Sequence, residues 1–79
     1  MVKEQHLKAL ELARKGDWEA AHRLAQAGSD PLSCLIHAYL HREEGDLGNA
    51  AYWYQQAGSE SPDNSLSEEW ERLYQLAQS

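Results

Sequence analysis

Gly16-Asp17-Trp18-Glu19-Ala20-Ala21 returns 29 residues later as Gly45-Asp46-Leu47-Gly48-Asn49-Ala50. Each copy reads as the end of one helix and the start of the next. Glycine takes the left-handed conformation that closes a helix without steric cost. The aspartate behind it offers a side-chain oxygen to the orphan N–H groups of the following helix. In the same frame Leu12 aligns with His41, Ala9 with Ala38 and Gln26 with Gln55. A repeat of helix, Gly-Asp turn and helix predicts two related helical hairpins.

Working outward, Leu7, Leu10 and Leu12 with Ala9 and Ala13 place a first helix near 3–15. Trp18, Ala21, Leu24 and Ala25 carry a second over 18–27. Gly28-Ser29-Asp30-Pro31 is a turn with a restart: Asp30 caps, and Pro31 suits the first helical position because its missing N–H has no partner there anyway. The third helix spans about 31–44 and the fourth about 47–57. Gly58 to Asn64 has no apolar residue and reads as a surface loop. Ser65 and Glu68 form a capping box that opens a fifth helix near 66–77. Its apolar stripe is Leu66, Trp70, Leu73, Tyr74 and Ala77, and Glu68, Glu69, Glu71, Arg72 and Gln75 are expected on a solvated face. The expected fold is all-α: two stacked antiparallel hairpins (about 3–27 and 31–57) and a C-terminal capping helix. Residues 1–79 are expected to form a single domain.

The second copy resembles a tetratricopeptide repeat. Gly45, Asp46, Leu47, Ala50, Tyr54, Ala57 and Pro62 stand at that family's relative spacing. In the first copy Gly16, Asp17, Trp18 and Ala21 fit, whereas Ala25 replaces the aromatic, Gly28 the last alanine, and Pro31 arrives early. The segment HAYLHREEGD (37–46), with NAAYWY (49–54), also resembles small uncharacterised bacterial proteins, which supplies no activity. The tetratricopeptide resemblance implies a groove, lined by the first helix of each pair, that holds a peptide. Leu32, Leu35, Tyr39 and Arg42 match groove-lining positions, and the fifth helix fills either that groove or the far end of the stack. Positions that the family fills with large apolar side chains fall on Cys34, His37 and His41.

Those histidines are where chemistry could lie. His37 and His41 are four apart on one helix and project the same way. His22 lies on the preceding helix, and Asp46 and Asn49 start the next. Three readings stand side by side. His37 and His41 are packing residues bonded to Asp46, Glu44, a tyrosine hydroxyl or a backbone carbonyl; or the cluster contacts a ligand or partner; or His22, His37, His41 and Asp46 ligate a metal. Tyr52, Trp53 and Tyr54 spread over roughly 200° of their helix, at about 100° per residue. Tyr54 matches the buried aromatic, which leaves Tyr52 or Trp53 for a contact surface unless the fifth helix covers them. Cys34, among Leu32, Leu35 and Ile36, reads as a small buried hydrophobe, with His37 as the nearby base if it is a reactive thiol.

The composition narrows the classes. Acidic residues outnumber basic ones 13 to 7, and residues 60–79 hold five acidic side chains against Arg72 alone. A chain of this sign repels phosphate backbones, so no nucleic-acid partner is expected. No apolar stretch is long enough for a membrane span, and the polar start shows no secretory signal, so a cytoplasmic location is expected. One cysteine forms no internal disulfide. No catalytic triad order, phosphate loop or paired CxxC occurs, and no cofactor is expected. The leading expectation is a non-catalytic interaction module for a protein partner or peptide. The alternative is a small-ligand- or metal-binding protein, or an enzyme, that uses a His22, His37 and His41 cluster. A core this thin also suggests a homodimer.

Overall fold

The computed structural model describes residues 2–79; Met1, counted within the expected domain, lies outside the described residues. Five helices follow in order: α1 (Val2–Lys15), α2 (Trp18–Ala27), α3 (Pro31–Glu43), α4 (Leu47–Gln56) and α5 (Leu66–Gln78). There is no strand among the described residues.

The Gly-Asp turns close as the repeat predicts. Gly16 and Gly45 have φ of +91° and +87°. The Asp17 N–H donates to the Leu12 carbonyl and the Asp46 N–H to the His41 carbonyl, each at 2.9 Å. These six-to-one bonds satisfy carbonyls that the helix end leaves open. The aspartate carboxylates then accept from Ala20 N–H and Asn49 N–H, both at 3.3 Å. One Gly-Asp pair thus ends a helix and starts its antiparallel partner, twice.

α1 packs on α2 and α3 on α4, and the hairpins stack through α2 and α1 against α3. α3 is central, with Ile36, Ala38 and Leu40 fully enclosed. α5 lies across α1 and α3, the two first helices, and its backbone stays clear of α2 and α4. Trp70, Leu73 and Ala77 join Ala9, Leu10, Ala13, Ile36, Tyr39 and Leu40 in the main core. Trp70 also donates its indole N–H to the Leu10 carbonyl at 2.8 Å, and the Arg14 guanidinium sits 4.3 Å over its ring. A smaller cluster of Ala38, Ala50 and Tyr54 holds α4 to α3.

Two expectations need correction. Glu69 is not on a solvated face: it is 0 % exposed. Its carboxylate takes two bonds from Arg72 at 2.8 Å, one from the Tyr54 hydroxyl at 2.8 Å and one from Asn64 Nδ2 at 2.9 Å. Helical periodicity puts Glu69 beside the apolar stripe, and polar partners brought from α4 and the loop let it be covered. The loop is likewise more than surface, because Arg42 donates to both the side chain and the carbonyl of Asn64.

Candidate functional site

The joint between the hairpins brings His22 of α2 onto His37 and His41 of α3. Ring centroids are 4.6 Å apart for His22–His37, 5.2 Å for His22–His41 and 4.9 Å for His37–His41. One nitrogen from each ring lies within 4.8 Å of the other two. Trp18, one turn before His22, stacks on it at 4.7 Å, while Trp53 of α4 stacks on His37 at 4.0 Å. The Trp18 indole N–H is anchored to the Leu40 carbonyl at 2.7 Å. The result is a wedge of three imidazoles between two indoles, drawn from three helices.

The hydrogen bonds divide the histidines. His41 Nδ1 meets a Glu44 carboxylate oxygen at 2.7 Å. Neither His22 nor His37 forms a side-chain hydrogen bond among the described residues, although His37 is only 4 % exposed. The packing reading, in which each ring bonds a neighbour, therefore describes His41 and not the other two. No side-chain nitrogen or oxygen among the described residues is both sealed from solvent and unpartnered, so the His37 nitrogens keep a narrow path to water. Burial, then the nearby His22 and His41, push the His37 imidazole down to about 4. Burial and His41 lower His22 as well, against a smaller upward pull from Glu44. Both are held in the neutral form, whose lone pair is free.

The other candidates fall elsewhere. Asp46 groups with His41 and Glu44, not with the three imidazoles, and its carboxylate caps α4. The Asn49 side chain donates back to Asp46 at 3.4 Å. Tyr52 is 52 % exposed and meets Trp53 edge-on at 5.1 Å, uncovered by α5. Tyr39 is buried in the core that α5 closes, and Arg42 is engaged by Tyr54 and Asn64. The sides of α1 and α3 to which the resemblance would assign a groove are covered by the chain's own last helix. Cys34 is buried, and burial, followed by the Asp30 charge, raises its thiol, which disfavours a reactive thiolate.

Glu44 is among the partners expected for the histidines, whereas Trp18 and, outside this cluster, His6 carry little sequence signal. Glu44 and Trp18 could be placed by spacing alone, three residues after His41 and four before His22. His6 has none: its Nε2 donates to Asp30 at 2.7 Å and lies 3.1 Å from the Ser33 hydroxyl, partners 24 and 27 residues away.

Compared with known proteins, the chain matches no family model, no curated protein and no solved structure. No helix among the described residues is long and apolar enough to cross a membrane.

Proposed function

We propose that this protein binds a divalent transition-metal ion of the zinc, cobalt, nickel and copper group through His22, His37 and His41. The observation that carries the reading is three imidazoles from two helices converging with no hydrogen bond of their own at His22 or His37. Their nitrogens are not sealed from solvent, so the unshared lone pairs stay open to a ligand. A metal would take one nitrogen from each of the three rings at once. Tetrahedral ligation at about 2.0–2.1 Å sets nitrogens about 3.3 Å apart, against a spacing within 4.8 Å here, so ligation would draw the three rings closer together. Nitrogen donors favour this group of ions over magnesium or calcium, which take oxygen. The neutral state of His22 and His37 suits ligation, because a protonated imidazole has no lone pair to give.

The test is zinc alone added to the purified chain. A ligand that binds only the folded state stabilises it by about 2.7 kcal/mol at a hundredfold excess over Kd. For a domain of this size that raises Tm by roughly 10–20 °C. Nickel or copper should also quench the tryptophan fluorescence, since Trp53 stacks directly on His37. Magnesium should do neither. An unchanged Tm and unquenched fluorescence with all three transition ions would remove the metal reading.

An interaction role keeps support from one further observation: Leu47 on α4 is 67 % exposed. With α5 lying on α1 and α3, α4 is the face such a module would offer to a protein partner or a second copy. Sedimentation at rising concentration tests the homodimer form, and Leu47→Ser should remove any association.

A further inference from the structure

We propose that Glu44 is the positioning residue of the three-histidine site, holding His41 in the tautomer and orientation that turn Nε2 toward the other two rings. This rests on the metal reading above. An ionised carboxylate only accepts hydrogen bonds, so the 2.7 Å contact with Nδ1 requires the ring proton there. That leaves the lone pair on Nε2, the one nitrogen His41 has free for the cluster. A carboxylate behind a ligating imidazole also raises its donor strength, an arrangement whose loss commonly weakens metal binding 10- to 100-fold.

The backbone around Glu44 is fixed for this task. Glu44 is the C-cap of α3, with φ −85° and ψ −2°, and its N–H donates to the Leu40 carbonyl at 3.2 Å. Gly45 then turns the chain, and the Asp46 N–H returns to the His41 carbonyl. His41 is thereby held at its main chain by Asp46 and at its ring by Glu44. The Glu44 side chain is 39 % exposed and forms no other ion pair among the described residues, so its carboxylate has no competing structural duty. The same turn in the first hairpin carries Lys15 where the second carries Glu44, and Leu12 where it carries His41. The carboxylate and the imidazole occur together in one copy and are absent together from the other.

The experiment uses the whole chain, with cobalt(II) as probe, and compares wild type with Glu44→Ala and Glu44→Gln. Long-range nitrogen NMR of the metal-free protein should show His41 protonated at Nδ1 in the wild type and in Glu44→Gln, whose side-chain carbonyl still accepts. Glu44→Ala should shift protonation toward Nε2 and weaken cobalt binding by about 10- to 100-fold. The glutamine variant should retain most of the affinity. A carboxylate that merely ends a helix would change the melting temperature and leave the tautomer and affinity alone. Wild-type His41 protonated at Nε2, or equal cobalt affinity in wild type and Glu44→Ala, overturns the proposal while leaving the metal reading intact. Failure of the wild type to take up cobalt overturns both.

Discussion

The Tyr54 hydroxyl reaches Glu69 across the gap between α4 and α5, donating at 2.8 Å to a carboxylate with no solvent exposure. Burial pushes Glu69 upward, but the bonds from Arg72, Asn64 and Tyr54 together outweigh it and hold the carboxyl below its ordinary 4.5. Its stabilising contribution is therefore fully present above about pH 4.5 and is lost as pH falls through the lowered value. Urea midpoints between pH 7 and about pH 3 should decline more steeply for wild type than for Glu69→Gln. Parallel curves would contradict this.

Glu69→Ala removes the group that gathers Tyr54, Asn64 and Arg72. Breaking a fully buried pair costs about 3–5 kcal/mol, but the Arg72 side chain is 41 % exposed and can turn to water. The expected loss is about 2–3 kcal/mol in equilibrium unfolding, with a smaller loss for Glu69→Gln.

What was legible from sequence is what local chemistry decides. The helix pairs follow from Gly16-Asp17 and Gly45-Asp46 because closure and capping involve residues a few positions apart. The His37–His41 pair follows from helical spacing, and His22 joins it because the repeat stacks α2 on α3. Glu69 escaped because its burial depends on Tyr54 and Asn64, brought from other elements. His6 escaped for the same reason, since Asp30 and Ser33 explain it only once α1 and α3 are adjacent. The place of α5 stayed open between two faces, each of which its apolar stripe could cover.

Gly16 and Gly45 have nothing within 4 Å of an added Cβ, so substitution there tests backbone conformation alone. Alanine at positive φ costs about 1–2 kcal/mol. Gly16→Ala and Gly45→Ala should each lose about that much and add nearly independently in the double variant. Gly48, helical and equally unobstructed, is the control: Gly48→Ala should be neutral or stabilising by about 0.5 kcal/mol. Thermal unfolding of the four variants decides it.

Gly28 is required for a different reason. An added Cβ would stand 2.4 Å from the Ser33 hydroxyl oxygen. That hydroxyl donates to Asp30 at 2.7 Å and touches His6, so it has little freedom to turn away. Gly28→Ala should therefore destabilise, and part of the loss should vanish in a Ser33→Ala background, where the nearest contact relaxes to the Ser33 Cβ distance of 3.0 Å. His6→Ala, which unties α1 from the start of α3, should cost about 1–2 kcal/mol. Additive losses for Gly28→Ala and Ser33→Ala would show that the hydroxyl is not the obstacle.

His37 separates a packing residue from a binding residue through the sign of one stability change. Its ring is 4 % exposed, stacked on Trp53 at 4.0 Å, and without a hydrogen bond among the described residues. Leucine has a similar volume and no polar atom to leave unpaired. Were the imidazole there to hold the helices, His37→Leu would lose the stacking and lower stability. If it is held in readiness for a metal, the metal-free protein keeps a largely buried imidazole that reaches water only through a narrow opening. His37→Leu should then leave metal-free stability unchanged or slightly raised while abolishing the zinc-induced rise in Tm. His22→Leu should also abolish the zinc response, with any gain smaller because His22 is less buried. Chemical denaturation of both variants, with and without zinc, gives four curves. A loss of metal-free stability in His37→Leu with an undiminished zinc response would assign the ring to packing alone.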